Sequence, residues 1–310
     1  MILNYLFYSV GIYVTFHTLF KISCFFYTFF VRPPIDLKKR GEWAVVTGAT
    51  DGIGKAFCHE FAEKGLNVCL ISRSRDKLQT EAKQIELQYK VKTRVVAIDF
   101  NTDDSGRLQK VVDQVSDLDI GVLVNNVGVC YEYSKYLDEV SVGEIEALIN
   151  VNMRATTLLT KLVIPLMTEK KKSNPNALDR IIVNIGSVSS VCPCPLLSVY
   201  AASKAYVKTL TFGLHYEYAN SGLFIQCIQP ALVCSNMSNI KVPNILTPSA
   251  KNYAKSAIKT IGLDRLTTGY WSHQLEVAAT NLFTDSFLAK MVLRNNSQLR
   301  DQGIAKSKSS

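Results

Sequence analysis

The chain has 310 residues, of which 47% are hydrophobic and 20% are charged, a composition typical of a folded protein rather than a disordered one. Its formal net charge of +9 is dispersed among acidic residues instead of gathered in one basic patch, which argues against nucleic acid as a partner. The 8 cysteines are scattered and the 4 histidines lie far apart in the sequence, so we expect neither disulfides nor a metal site.

The first predicted element is an apolar segment. Residues 1–20 contain no Lys, Arg, Asp or Glu, and as a helix they would span about 30 Å, the thickness of a bilayer's hydrocarbon layer. Lys21 interrupts the apolar run, which continues to Val31, so the sequence allows one tilted helix or one span with an interfacial piece. Because the segment lacks a basic start and a small-residue cleavage site, we predict a retained membrane anchor at residues 1–31 rather than a cleaved signal peptide.

A basic linker follows the apolar segment at residues 32–41. An excess of basic residues beside a membrane span tends to stay in the cytosol, so we expect the rest of the chain to face the cytosol. The basic residues of this linker are Arg32, Lys38, Lys39 and Arg40.

Residues 42–293 alternate short β-branched runs with longer helical patterns. We predict strands at Trp43–Gly48, Asn67–Ser72, Thr93–Ile98, Ile120–Asn125, Arg180–Ser187 and Leu223–Gln229. Helices are predicted between them at Gly52–Lys64, Arg75–Gln88, Asp104–Ser116, Val142–Met167 and Val199–Ala219, and beyond them at Ser249–Thr260 and Gln274–Leu293. This alternation predicts a single α/β domain with a Rossmann-like, doubly wound parallel sheet, followed by a basic tail at residues 294–310.

The first predicted strand runs directly into a glycine-rich turn with the spacing GxxxGxG. Gly48 permits the turn, Gly52 lets the backbone approach a pyrophosphate, and Gly54 lets the following helix pack against the strand. The start of that helix offers free N–H groups and the positive end of a helix dipole. The strand, turn and helix together predict a dinucleotide-binding site.

The end of the second strand indicates which dinucleotide binds there. An NAD enzyme usually places Asp or Glu at this position to accept hydrogen bonds from the ribose hydroxyls. This chain has Ser72 and Arg73 instead, and a guanidinium favours a 2′-phosphate that a carboxylate would repel. We therefore predict NADP(H) rather than NAD(H), the alternative being a solvated surface arginine.

A tyrosine and a lysine stand at i and i+4 in the last long helical pattern before residue 220. Tyr200 and Lys204 would share one helix face, and a nearby ammonium favours the ionised form of a phenol. Ser187 closes a predicted strand shortly before, and Asn125 closes another. Because ligands bind at the carboxyl ends of parallel strands, we expect these side chains to meet there.

These motifs resemble those of the short-chain dehydrogenase/reductase family. The matching elements are the Gly48–Gly54 turn, Asp99, Asn125–Gly128 (with Val127 where alanine is usual), Asn152, Ser187, Tyr200 and Lys204. The segment Pro230–Ser235 is similar to the family's PGxVxT motif, with Ala231 in place of glycine and Ser235 in place of threonine. The resemblance covers about residues 41–293.

The resemblance implies a role for each matching residue. Tyr200 would donate a proton to a carbonyl group, and Ser187 would orient that carbonyl as the second substrate-binding residue. Lys204 would lower the pKa of the tyrosine and hold the nicotinamide ribose, and Asn152 would position a water in a proton relay. The implied cofactor-binding residues are Gly48, Thr50, Asp51, Gly52, Ile53, Gly54, Arg73, Asp99, Asn125, Tyr200, Lys204 and Val233.

Further motifs resemble one branch of the family, which contains the 17β-hydroxysteroid dehydrogenases types 3 and 12 and the very-long-chain 3-oxoacyl-CoA reductases. They are residues 49–55, 70–73, 125–128, 216–218 and 255–263. Members of this branch carry an N-terminal anchor, and the end of this chain, residues 306–310, is similar to a KxKxx retrieval signal. The resemblance implies residence in the endoplasmic reticulum membrane, the alternative for the chain end being a solvated basic tail.

Two classes of function remain at this stage. The first is NADPH-dependent reduction of a ketone on a lipophilic substrate, either a 3-oxoacyl-CoA or a ketosteroid, with a slight preference for the acyl-CoA by resemblance alone. The second is a catalytically silent dinucleotide-binding scaffold or sensor. The sequence leaves open whether the chain forms a homo-oligomer.

Overall fold

The chain begins with a long apolar helix. A computed structural model describes residues 2–173 and 176–307. Helix α1 spans Ile2–Phe26 and passes directly into a π-helical turn at Tyr27–Val31. By length and composition, the helical stretch Phe7–Val31 is able to cross a membrane.

Seven parallel strands form one sheet in the order β3-β2-β1-β4-β5-β6-β7. The predicted Rossmann-like, doubly wound parallel sheet is therefore confirmed. The chain order reverses direction between β1 and β4, and open α/β sheets bind their ligands in the crevice at such a point. The strands are β1 Trp43–Thr47, β2 Asn67–Ser72, β3 Thr93–Ala97, β4 Ile120–Asn125, β5 Arg180–Ile185, β6 Leu223–Ile228 and β7 Leu266–Thr267.

Helices cover both faces of the sheet, which is why every residue of β4 and β5 is buried. One face packs against α2, α3 and α8, and the other against α4, α6 and α7. The helices are α2 Gly52–Glu63, α3 Arg75–Tyr89, α4 Ser105–Asp113, α5 Val142–Ala147, α6 Ala155–Ser173, α7 Ser198–Glu217, α8 Ala250–Thr260, α9 Trp271–Thr280 and α10 Asp285–Ser307.

Several elements differ from the prediction. The helix predicted at Val142–Met167 contains a π-helical segment, Leu148–Arg154, between α5 and α6. The strand predicted to reach Ser187 ends at Ile185, because the chain turns there into a short 3-10 turn, Val188–Ser190. The short β7, which pairs with the end of β6, was not predicted.

The C-terminal region is more helical than predicted. The helix predicted at Gln274–Leu293 is divided into α9 and α10, and α10 continues to Ser307 through most of the expected tail. Packing holds this helix in place: Asn296 donates a hydrogen bond to the carbonyl oxygen of Pro195 at 2.8 Å, and Arg300 pairs with Glu139. The last residues of the retrieval-like motif, 308–310, lie outside the described residues.

Candidate active site

The glycine turn lies between β1 and α2 in a conformation that requires glycine. Gly48 and Gly52 have φ values of +67° and +51°, in the left-handed region that favours glycine. A Cβ atom at Gly54 would lie 2.3 Å from the carbonyl oxygen of Gly48, so a side chain there would displace the turn. Helix α2 begins at Gly52 with its first N–H groups at this edge, a geometry that fits the phosphates of a dinucleotide.

Asn126 holds this turn against the end of β4. Its side-chain nitrogen donates to the carbonyl oxygen of Thr47 at 2.9 Å, and the Thr47 hydroxyl accepts from the backbone N–H groups of Asn126 and Val127 at 2.9 and 3.0 Å. Sequence reasoning assigned no role to Asn126 or Thr47. The sequence feature that could have identified Asn126 is its place in the Asn125–Gly128 motif, directly after the end of β4.

The side chain of Asn125 is buried at the end of β4. Its side-chain nitrogen donates to Thr160 and to Asn184, each at 2.8 Å, and the residue is buried. The amide therefore joins β4 to β5 and α6. Asn125 is the last residue of β4, whereas Asn126 lies beyond the strand and its side chain turns back to the end of β1.

The remaining predicted cofactor residues lie in the glycine turn or follow the carboxyl ends of strands. Thr50 and Ser72 share a hydrogen bond between their hydroxyl oxygens at 2.9 Å, which places Arg73 and the turn side by side, with Arg73 exposed. Asp99 is exposed after β3, and its carboxylate accepts from the N–H of Asn101 at 3.0 Å. Asp51 is the N-cap of α2, Ile53 lies in the first turn of that helix, and Val233 is buried.

Tyr200 and Ser187 are brought together as predicted. The hydroxyl of Ser187 hydrogen-bonds the phenol of Tyr200, and it also accepts from the N–H of Ser189 as the N-cap of the 3-10 turn. Burial raises the pKa of Tyr200, the neighbouring Cys130 and Cys194 thiols raise it further, and the bond from Ser187 opposes this rise. The phenol is therefore fully protonated at neutral pH and able to act as an acid.

Lys204 lies inside the protein rather than on its surface. Its Nζ atom donates to the carbonyl oxygen of Ile185 at 3.0 Å and lies 5.9 Å from the ring centroid of Tyr200. Burial lowers the pKa of Lys204 from 10.5 to about 8. The largest influence on the pKa of the neighbouring Tyr200 is the burial of its phenol, which raises it.

Asn152 lies within the π-helical segment, fully buried. Its side-chain oxygen accepts from the N–H of Val129 at 2.8 Å, and its nitrogen donates to the Val129 carbonyl and to the Ser203 hydroxyl, each at 3.0 Å. The Ser203 hydroxyl in turn donates to the carbonyl oxygen of Tyr200 at 2.7 Å. Asn152 is thus tied to α7 between the tyrosine and the lysine, and π segments of this kind often occur at functional sites.

Asn152 and Lys204 converge beside Gly128. A Cβ atom built on Gly128 would lie 3.3 Å from the Oδ1 atom of Asn152 and 3.3 Å from the Nζ atom of Lys204. The four predicted catalytic residues therefore form one connected group at the carboxyl edge of the sheet. An acid, a second hydroxyl donor and a buried ammonium next to a dinucleotide turn can transfer a proton to a carbonyl group.

A groove of about 760 Å³ lies outside this group, between α2, α3 and α8. It touches the glycine turn at Asp51 and Gly52, but neither Ser187 nor Tyr200 lines it.

The class that this fold and site define is a dinucleotide-dependent oxidoreductase. The short chain dehydrogenase family profile matches residues 42–244, and the chain belongs to this family. The family, the enzyme class and the nicotinamide cofactor predicted from the motifs are confirmed.

Individual relatives agree with this assignment. The very-long-chain 3-oxoacyl-CoA reductase of Mus musculus is 42% identical over 270 residues, which cover 86% of this chain and 84% of the relative. The inactive hydroxysteroid dehydrogenase-like protein 1 of Homo sapiens is 44% identical over 246 residues, covering 77% and 72%. A short-chain dehydrogenase from Sphingobium yanoikuyae, solved in complex with NADPH, is 26% identical and superposes with a TM-score of 0.64, covering 77% of this chain and 94% of its own.

Proposed function

We propose that this protein is a membrane-anchored reductase that uses NADPH to reduce the ketone of a lipophilic substrate, with a long-chain 3-oxoacyl-CoA as the favoured substrate. The observation that carries the proposal is the connected group of Ser187, Tyr200, Lys204 and Asn152 beside the glycine turn. The 42% identity to a very-long-chain 3-oxoacyl-CoA reductase supports the substrate class.

Tyr200 is the acid of the proposed reaction. Its burial keeps the phenol protonated, so the proton is available for the oxygen of the substrate carbonyl as that oxygen gains charge. The hydroxyl of Ser187 donates a second hydrogen bond to the same oxygen and orients it. When bound, the nicotinamide ring supplies the hydride for the carbonyl carbon.

Lys204 and Asn152 act after Tyr200 has given up its proton. The ammonium of Lys204 stabilises the phenolate electrostatically, and in a buried site this attraction is stronger than in water. The side-chain oxygen of Asn152 approaches the same place beside Gly128, where it is positioned to hold a water that returns the proton. Lys204 and the residues of the glycine turn hold the dinucleotide.

Arg73 is the proposed selector of NADPH over NADH. It follows β2 at the point where the Thr50–Ser72 hydrogen bond fixes the glycine turn, and it is exposed at that edge. Its guanidinium is able to form charge-assisted hydrogen bonds with a 2′-phosphate. Arg73→Ala is expected to raise the KM for NADPH about tenfold or more and to leave the KM for NADH nearly unchanged. Equal effects on both would refute this role.

The proposed location rests on the apolar N-terminal helix and on the basic linker that follows it. Helix α1 is the proposed anchor in the endoplasmic reticulum membrane, and the basic linker after it favours a catalytic domain in the cytosol. Alkaline carbonate extraction of cell membranes tests the anchor, and protease digestion of sealed microsomes tests the orientation. Release of the chain by carbonate would contradict the anchor, and protection of the catalytic domain inside microsomes would contradict the orientation.

The second candidate is a silent dinucleotide-binding protein, and one observation favours it. The human relative that is 44% identical is described as inactive. Against it, this chain keeps the acid, the lysine, the serine and the asparagine in contact with one another.

One experiment separates the two candidates. The full chain, purified in detergent, is mixed with NADPH and a long-chain 3-oxoacyl-CoA or, separately, a ketosteroid, and NADPH oxidation is followed. Turnover with either ketone supports the reductase, and the larger kcat/KM identifies the substrate class. Tight binding of NADPH without turnover of either ketone would support the silent protein.

A further inference from the structure

The loop of residues 237–246, between β6 and α8, exposes an unusual number of apolar side chains. Val242 is 78% exposed and Ile245 is 69% exposed, and Met237 and Leu246 are also mostly exposed. Large apolar residues gathered on one exposed loop usually mark an interaction surface. We call this segment the 237–246 loop.

A tight turn fixes the outward direction of this loop. The N–H of Asn244 donates to the carbonyl oxygen of Thr247 at 2.9 Å, and the Asn244 side chain accepts from the N–H groups of Leu246 and Thr247 at 2.9 and 2.8 Å. Three hydrogen bonds therefore hold the turn, and Ile245 lies at its exposed tip. The apolar surface is a built feature of the loop.

Hydrogen bonds join the loop to the first turn of α9. The hydroxyl of Ser272 donates to the carbonyl oxygen of Ile245 at 2.8 Å. The ring of His273 accepts from the N–H of Ala231 at 3.2 Å through Nδ1, so its Nε2–H donates to the carbonyl oxygen of Leu246 at 3.1 Å. The loop and the start of α9 thus form one unit.

The end of the apolar N-terminal helix packs on that same unit. The ring of Phe30 lies 6.3 Å from the ring of Trp271, the residue that precedes Ser272. The guanidinium of Arg32 donates to the carbonyl oxygen of Lys259 at the end of α8, at 2.8 Å. The 237–246 loop therefore lies close to the place where the anchor enters the catalytic domain.

From this continuity we infer that the 237–246 loop is a second membrane contact, which inserts its apolar tip into the interfacial layer of the bilayer that holds α1. The inference rests on the proposed membrane anchoring. Phe30, Val31 and the loop tip expose apolar surface in one neighbourhood, and the exposed Lys241 beside Val242 suits anionic headgroups. Because the neighbour of the 237–246 loop is the proposed membrane helix, the partner of its apolar tip is a lipid surface.

The loop is also connected to the glycine turn. The chain that leads into the loop passes Ser235, whose side chain lies next to the glycine turn: a Cβ atom on Gly52 would be 3.2 Å from the Cβ atom of Ser235. The loop therefore connects the cofactor turn with the surface on which the end of the anchor packs.

Tryptophan placed in the loop tests the contact directly. The full chain with Val242→Trp is reconstituted into phosphatidylcholine vesicles whose acyl chains carry bromine near the headgroups, and fluorescence is compared with unbrominated vesicles. The matched control is Val142→Trp, since Val142 is 71% exposed and lies on α5, which continues through the π segment into α6 on the other face of the sheet. The signal of Trp43 and Trp271 in the unaltered chain is subtracted.

The emission of the Val242→Trp residue is expected to fall by about half, because side chains of interfacial segments lie about 5–10 Å inside the bilayer surface, within reach of the bromines. The Val142→Trp residue is expected to show no quenching. Ile245→Trp gives an independent second reading if Val242→Trp does not fold.

The outcomes separate the loop contact from the anchor. A carbonate wash of the vesicles shows whether the chain is anchored. If it is retained and the loop tryptophans are quenched no more than Val142→Trp, the loop contact is wrong and the anchor stands. If the wash removes the chain, the anchor is wrong and the loop contact falls with it.

Discussion

The Nζ atom of Lys204 lies 3.0 Å from the carbonyl oxygen of Ile185, so the end of β5 holds the ammonium at the reactive edge of the sheet. Burial at this place lowers the pKa of Lys204 to about 8. The charged form is present below that pH and is lost above it. We therefore expect kcat/KM for NADPH-dependent reduction to fall as the pH rises through about 8, measured in buffers of constant ionic strength.

A charge-preserving variant controls this pH prediction. Lys204→Arg keeps a cation at all working pH values, so its residual activity should not fall near pH 8, whereas Lys204→Met should be nearly inactive at every pH. An alkaline decline that is the same in Lys204→Arg and in the unaltered chain would assign the decline to another group.

Tyr200→Phe removes the proposed acid without changing the shape of the side chain. We expect kcat to fall by about 100- to 10,000-fold, the range that a positioned proton donor contributes, while NADPH binding stays within a few-fold of the unaltered chain. NADPH oxidation and equilibrium titration of the bound cofactor measure the two effects.

The same helix offers a matched control for this substitution. Tyr206 on α7 hydrogen-bonds the hydroxyl of Thr157 at 2.8 Å, away from Ser187. Tyr206→Phe should lose about 0.5–1.5 kcal/mol of stability at most and keep its kcat. A Tyr200→Phe variant that turns over as fast as Tyr206→Phe would exclude Tyr200 as the acid.

The positions of the strands and of the glycine turn were predictable from the sequence. Near-continuous apolar runs located the strands, and the rule that parallel strands end at one edge brought Ser187 and Tyr200 together. The hydrogen-bond partners of Asn125 were not predictable, because Thr160 and Asn184 are distant in the sequence and reach it only in the folded protein. The π segment around Asn152 was missed because one extra residue hardly disturbs a helical hydrophobic pattern.

The electrostatics of the site could not be read from the sequence. A spacing of four residues between Tyr200 and Lys204 shows that they share a helix face, but not that both are buried. Burial is set by other parts of the chain, among them the segment around Cys130 and the turn around Cys194, which surround the phenol only in the folded protein. The pKa of the phenol therefore rises where the pair alone indicated a fall.

Gly54→Ala tests the close packing of the glycine turn. The added Cβ atom would meet the carbonyl oxygen of Gly48 at 2.3 Å, so the turn has to move. We expect a loss of about 2 kcal/mol or more in the free energy of unfolding and weaker NADPH binding, measured by urea unfolding and by titration. Gly143→Ala in α5 meets nothing within 4 Å and should be neutral or slightly stabilising. Equal behaviour of the two variants would contradict the packing role.

His273 gives the fold an acid-sensitive point near the cofactor cleft. It is fully buried, and burial lowers its pKa from 6.5 to about 4, so the ring is neutral in the folded protein. The unfolded chain takes up a proton at this residue below about pH 6.5, but the folded chain does so only below about pH 4. Stability is therefore lost as the pH falls through this window, by up to the few kcal/mol that such a shift represents.

His273→Gln separates this titration from the structural role of the ring. The ring accepts from the N–H of Ala231 and donates to the carbonyl oxygen of Leu246, so its loss should cost about 1–3 kcal/mol at neutral pH. Glutamine does not titrate, so the stability of the variant should fall less between pH 6.5 and pH 4 than that of the unaltered chain, as measured by urea unfolding across this range. A variant with an undiminished acid loss would assign that loss to carboxylate groups, because they are the other side chains that take up protons in this window.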